Sequence, residues 1–387
     1  VINAANRWDD MWMADQQLAV GLSRLAPVLY VDPVQSLATR VRQGGWKSAV
    51  RRAPRLTVLG RRLARLEPEG LPGLARRGVA EVNARLAALQ VRDALGRLGG
   101  SARASIEANV LTPVSGRIGE STKVYWAQDD FEAMAALVGG VAASYARADV
   151  RLAAEADLVM AANPRVAEAL RIRGRETELI PFGCDAEHFA RAAAQDRPED
   201  IALPSPFAIF VGHLGDRLDF SLLEGLRDAG LRQLLIGPVH PSVDRMRFDA
   251  LVASPEVQWL GSRPFDDLPA YLGHAAVALV PYTASAFNLA SFPLKTLEYL
   301  AAGLPVVSTP LPGVEWIGSS DVHVAGDRDD FVSRVGRLLS ARPDPAGVQR
   351  RQQLARGHSW NARARSVATM LGIEIEEQTG GGGRHAA

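Results

Sequence analysis

The chain has 387 residues, 47% of them hydrophobic and 22% charged, with a formal net charge of +1. That length calls for two domains and that composition for folded structure, while the near-neutral charge excludes a bulk electrostatic affinity for nucleic acid. A single cysteine, Cys184, excludes an internal disulfide framework and any multi-cysteine metal site, and fits a cytoplasmic setting best.

The opening Val1-Ile2-Asn3-Ala4 reads as a first strand cut within its length, without the basic and apolar regions of a signal peptide. No apolar run approaches the roughly 20 residues of a membrane span. A helical period over Asp15–Leu25 leads into a strand at Val28–Val31. A second long period covers Val79–Leu98, followed by a weaker strand at Ala108–Leu111 and cleaner ones at Val124–Ala127, Leu158–Ala161 and Glu178–Ile180. Residues 191–206 are polar and proline-rich with no apolar period, and are read as a linker. Beyond them the strands Phe207–Val211, Gln233–Ile236, Val257–Leu260, Val277–Val280 and Val306–Ser308 each run into a Gly or Pro and then a helical pattern. Such alternation predicts an α/β fold with parallel sheets, in domains 1–190 and 207–345. A last helical segment spans 346–372, and a glycine-rich tail, 373–387, is expected to be disordered.

One stretch departs from the overall balance. Residues 40–65 carry nine cations, from Arg40 to Arg65, and no acid, with Trp46, Val50, Leu56, Val58, Leu59 and Leu63 interleaved. Two readings stand: a segment lying on an anionic membrane surface, and a solvated helix face. The first places the protein on the inner face of the membrane.

The most informative segment is Ala276–Pro312. An apolar strand ends at Pro281, a small-residue loop follows, and a helix begins near Pro293, where proline at the first helical position costs no hydrogen bond. The positive end of that helix then meets the carboxyl edge of the sheet, where anions bind in open α/β folds. Lys295 in the first turn opposes the helix dipole unless an anion lies there, and Glu298 one turn later is placed to accept from a diol. The alternative is an ordinary helix with a solvated ion pair.

PLKTLEYLAAGLPVV, from Pro293 to Val307, closely resembles the donor helix of GT-B glycosyltransferases, in the branch that builds bacterial surface polysaccharides of the teichuronic-acid and xanthan type. FVGHLGDRLD (Phe210–Asp219), LLIGP (Leu234–Pro238), VQWLGSRPFDDLPAYL (Val257–Leu272), ELIPFGCDAEHF (Glu178–Phe189) and HSWNARARSVATML (His358–Leu371) resemble further family stretches in the same order. The resemblance implies two Rossmann-like domains facing across a cleft, with the C-terminal helix crossing back to the first. It implies a metal-independent transfer of sugar from a nucleotide-diphosphate donor, UDP-sugar favoured, to a glycan or lipid-linked acceptor. No cofactor beyond that co-substrate is expected. Lys295 then meets the diphosphate or the sugar, and Glu298 holds the ribose. Gly212, Gly215 and Arg217 approach phosphate, and Ser262 and Arg263 lie where the base edge is read. Many retaining members carry a second glutamate at the position that is Ala290 here, and Asn288 or Ser291 stands in for it.

For the catalytic base, Asp129 and Asp130 follow the strand Val124–Ala127, Asp129 being preferred; adjacent carboxylates raise one another's pKa, although an N-cap with a first-turn acid reads equally well. Arg7 and Trp8, after the first strand, are candidates for acceptor or phosphate contact. Two rivals remain open, a sugar-nucleotide epimerase on the same fold and a non-catalytic partner subunit.

Overall fold

The computed structural model describes residues 1–10, 13–36, 55–73, 78–128 and 142–374. Asp129 and Asp130, residues 40–54 of the basic segment and all but the first two residues of the expected tail lie outside that set. Among the described residues, contacts divide the chain into two compact units. One is Val1–Trp126 with Val150–Leu158 and Arg363–Ala387, the other Ala127–Asp149 with Val159–Ala362.

The first sheet has eight strands: β1 (Ile2–Asn3), β2 (Val28–Val31), β4 (Arg55–Gly60), β5 (Leu63–Glu67), β7 (Ala104–Glu107), β8 (Thr122–Ala127), β9 (Leu158–Ala161) and β10 (Glu178–Leu179). Their order is β10-β9-β8-β7-β1-β2-β5-β4. A two-stranded ribbon pairs β3 (Gln35–Ser36) with β6 (Glu69–Gly70). Neighbours β7, β1, β2 and β5 run parallel, and only β4 turns back antiparallel on β5. Every residue of β2 and β7 is buried, as a parallel sheet covered on both faces requires. The helix Val79–Arg97 supplies part of that cover through Ala87, Ala88, Val91 and Ala94, a helical stripe of small side chains packed in one core with Leu29, Val31, Ala64 and Leu66.

Two expectations need correction here. The strand read at Ala108–Leu111 lies just upstream, at Ala104–Glu107. Asn109 is the reason: its side chain accepts from the amides of Leu111 and Thr112, folding that stretch into a turn. The described part of the basic segment is neither a helix nor uniformly solvated. Residues 55–67 form the hairpin β4–β5, and Arg65 is buried, its guanidinium bonded to Asp32 at 2.6 Å, Asp9 at 2.8 Å and Glu67 at 3.2 Å.

The second sheet is wholly parallel: β11 (Ala208–Val211), β12 (Gln233–Ile236), β13 (Val257–Trp259), β14 (Val277–Val280), β15 (Val306–Ser308) and β16 (Val322–Val324), in the order β13-β12-β11-β14-β15-β16. The chain winds outward from β11 to one edge, returns to β14 and winds to the other. The order therefore reverses between β11 and β14, and open sheets of this kind bind ligands at the carboxyl ends on either side of that point. The segment expected as a linker is not bare. Ala190–Ala194 form a 3-10 turn, and Asp200 accepts from Arg263 and Tyr271. The last helical region is two helices, Pro345–Gly357 and Trp360–Met370, parted where Cys184 exchanges backbone bonds with His358 and Trp360. Gly183 is needed for that approach, since a Cβ there would lie 2.6 Å from the Trp360 nitrogen. No helix of the described residues is long and apolar enough to cross a membrane.

Candidate functional site

At the carboxyl ends of β11, β12 and β13 stand Gly212, Gly237 and Gly261. Gly212 donates to the Ile236 carbonyl and Gly237 to the Gly261 carbonyl, both at 2.8 Å. Gly237 has φ +137° and lies so near Gly212 that an added Cβ would meet the Gly212 carbonyl oxygen at 1.9 Å. No side chain fits at Gly237, so backbone alone floors this part of the sheet edge.

Across that floor comes the helix Leu294–Ala301. Lys295 extends over Gly212, where a Cβ would stand 2.8 Å from Lys295 Cε. Glu298 is half-buried, and no hydrogen bond joins its carboxyl group to another described residue. Burial pushes its pKa up, with the charges of Lys295 and then His188 pulling it partly back. A desolvated carboxylate with unused acceptors beside a lysine crossing a glycine suits a ligand that brings both hydroxyl donors and negative charge.

The helix start differs from expectation. Pro293 is the N-cap rather than the first helical residue, and the Leu294 and Thr296 amides turn in on the carbonyls of Phe292 and Pro293, both at 2.9 Å. The terminus therefore presents fewer free amides than a regular first turn, and Lys295 carries more of the positive field. Tyr299, one residue on and buried, also bears on the glycine loop. Its hydroxyl accepts from the Val211 amide at 2.9 Å, fixing the residue before Gly212.

The small-residue loop before this helix contains a further short helix, Ala286–Ala290, capped by Ser285. It brings Asn288 and Arg217 together. Arg217 Nε donates to Asn288 Oδ1 at 2.8 Å, and the guanidinium lies over the rings of Phe287 at 4.6 Å and Tyr282 at 5.0 Å. Asn288 is buried and its amide nitrogen is spent on the Arg217 and Thr283 carbonyls and the Thr283 hydroxyl. Ser291 Oγ donates to the Phe287 carbonyl. Both polar side chains hold this loop together in the structure.

Arg263 stands apart from the group. Its guanidinium is tied to Asp200 at 2.6 Å, to Tyr271 and to the carbonyls of Leu260 and Ser262, so it braces the loop after β13; Ser262 itself is exposed. In the first unit Arg7 lies 3.9 Å from Asp32 and beside Gln35, lining a small cavity with Glu67. Trp8 packs edge-on against Tyr30 at 5.0 Å and its amide donates to Asp32.

Sequence reasoning missed two buried acids at the strand ends here, Asp32 and Glu107. Glu107 accepts from Asn3 at 2.6 Å and from the Val114 and Ser115 amides at 2.9 and 2.6 Å. Burial nonetheless pushes its pKa up to about 7. The signal was present, an acid closing the run Ala104-Ser105-Ile106-Glu107, but the strand was placed one step too late.

Residues 209–341 match the family described as Glycosyl transferases group 1. The matched residues all lie within the second unit. A protein of Bacillus subtilis, provisionally named a teichuronic acid biosynthesis glycosyltransferase, TuaH, is 30% identical over 213 residues, 52% of each chain. The match thus spans about half the length of that curated relative. Among solved structures, sucrose-phosphate synthase of Thermosynechococcus elongatus aligns with a TM-score of 0.64 at 17% identity, over 92% of this chain and 91% of the other. An Escherichia coli structure titled trehalose-6-phosphate, bound with UDP-2-fluoro glucose, gives 0.66 at 14% identity, over 97% and 99%. The Anabaena HepE protein in complex with UDP gives 0.63 at 14%, over 96% and 98%. At these identities the likeness is one of fold, and the fold is GT-B. Lys295, Glu298, Gly212, Gly215, Arg217, Ser262 and Arg263 all fall within the matched residues 209–341.

Proposed function

We propose that the protein transfers a sugar from a nucleotide-diphosphate donor to a hydroxyl of a glycan or lipid-linked acceptor. The observation that carries this is Lys295 laid over Gly212 with a desolvated, unbonded Glu298 one turn on, at the reversal point of a group 1 domain's sheet. A ribose diol offers Glu298 two O–H donors. A diphosphate offers Lys295 its counter-charge, and the glycine floor, bare of side chains, leaves room for its oxygen atoms. The HepE structure was solved with UDP, which supports trying uridine donors first.

In the reaction the bond from the anomeric carbon to the phosphate oxygen breaks, and the acceptor oxygen bonds to that carbon. The acceptor proton passes to a carboxylate, for which Asp129 and Asp130 are the proposed candidates. The leaving diphosphate gains a negative charge, and Lys295 stabilises it more in the transition state than in the ground state. Titration calorimetry with UDP-, GDP-, dTDP- and ADP-sugars tests the donor half. One of them should bind, and Lys295→Ala should weaken it at least about tenfold. Absence of binding by all four refutes the proposal.

The acceptor's lipid anchor suggests a second partner, an anionic membrane surface. What supports it is the β4–β5 turn, where Val58 and Leu59 are 67% and 39% exposed beside exposed Arg55, Arg61 and Arg62. Arg65 has no part in this, being buried. Co-sedimentation with vesicles rich in anionic lipid should exceed that with neutral vesicles, and Arg61→Glu with Arg62→Glu should remove the difference. Equal sedimentation with both vesicle types would exclude the membrane contact.

A further inference from the structure

The loop that follows β12 carries an imidazole whose hydrogen-bonding state is set by its neighbours. His240 donates its backbone N–H to the Leu214 carbonyl at 2.8 Å, and Leu214 donates back to the Pro238 carbonyl at 2.9 Å. The loop after β12 is thereby laced to the loop Gly212–Gly215. Gly215 is where the ring rests: a Cβ there would stand 3.2 Å from His240 Cβ and 3.7 Å from Cγ.

Nδ1 of His240 receives the Ser242 backbone N–H at 3.2 Å and lies 2.8 Å from the Ser242 hydroxyl. A backbone amide only donates, so Nδ1 holds a lone pair and the ring proton sits on Nε2. The Ser242 hydroxyl also accepts from the Asp216 amide at 3.4 Å. The chain of contacts from Asp216 through Ser242 to His240 ties the ring to the glycine loop, while the Ser242 amide sets the tautomer. The ring is exposed, and its Nε2–H has no protein partner among the described residues. Two other histidines of the same unit differ, since Nε2 of His188 and of His274 faces the carbonyls of Phe265 and Gln195, each at 3.1 Å.

We propose that His240 is a diphosphate-binding residue, its Nε2–H donating to a phosphate oxygen of the nucleotide donor held above the Gly212–Gly215 loop. The proposal rests on the nucleotide-sugar reading of this site. The ring supplies a directed N–H, and Lys295, whose side chain lies over Gly212, supplies charge. Ser242 is a positioning residue that acts through His240.

Titration calorimetry tests it, using UDP, GDP, dTDP or ADP, whichever the wild type binds, and the matching nucleoside. His240→Ala should weaken the diphosphate about tenfold and leave the nucleoside unchanged. His240→Gln, which keeps an N–H donor, should restore most of the loss, and Ser242→Ala should fall between. Diphosphate affinity of His240→Ala within about twofold of wild type overturns the assignment. So does an equal loss for the nucleoside, which would mean that the loop as a whole had moved. A wild type that binds none of the four overturns the nucleotide-sugar reading, and this inference with it.

Discussion

Replacing Tyr299 by Phe removes one oxygen and leaves the ring in place, so its effect isolates the hydroxyl. In β11 the pairing with β14 runs through Ala208 and Ile209 and stops there. The Val211 amide lies beyond that pairing, and the Tyr299 hydroxyl takes the place of the missing strand neighbour at 2.9 Å. Val211 is buried, so without the hydroxyl its N–H has no water to turn to. An orphaned buried amide costs about 2 kcal/mol. That should lower the unfolding temperature of this unit by about 4–8 °C, with the urea midpoint falling and its slope unchanged. Nucleotide affinity should fall as well, because Val211 leads directly into the glycine loop. A Tyr299→Phe protein with an unaltered urea midpoint would show that the hydroxyl does not hold Val211, and the account of how β11 ends would fail.

Glu298→Gln should have opposite effects on stability and binding. Burial raises the Glu298 pKa, so its ionisation costs stability as pH rises above the unfolded value. The variant should therefore resist urea better than wild type at pH 7 while binding nucleotide about tenfold more weakly, as calorimetry would show. Glu107 gives the first unit a pH dependence of the same sign. With its pKa moved from 4.5 to about 7, stability should decline by as much as about 3 kcal/mol as pH climbs through that window. Urea midpoints measured from pH 4.5 to 8 should show the decline in wild type and a flatter profile in Glu107→Gln. Arg65→Ala leaves Asp32, 2% exposed, without the cation that neutralises it, and should cost about 3–5 kcal/mol in chemical denaturation.

The second unit was legible because its strands are continuous β-branched or apolar runs punctuated by Gly or Pro, and buried parallel strands require just that. Gln233–Ile236, Val277–Val280 and Val306–Ser308 stand where the pattern puts them. The helix that carries Lys295 and Glu298 was legible through its place after a strand and a proline. What escaped was set by contacts distant in sequence. Arg65 looks like one more cation in a basic run until Asp32, 33 residues away, is seen to face it. Tyr299 finds Val211 across 88 residues, and Arg217 finds Asn288 across 71. Arg263 matches a ligand-reading position in the motif, yet Asp200, outside the motif, occupies it. Local turn chemistry accounts for the strand misread at Ala108–Leu111, since Asn109 folds that stretch into a turn.

The contact between Gly237 and Gly212 adds a steric limit to two loops already joined by backbone hydrogen bonds. Because the Gly212 carbonyl fills the space a methyl at residue 237 would need, the second loop cannot acquire bulk there without the first giving way. The basin for an incoming anion thus has its depth set by the meeting of two main chains, before any guest arrives. Changes in what this site accepts must then come from the side chains around that rim, since its floor has no room to be rebuilt.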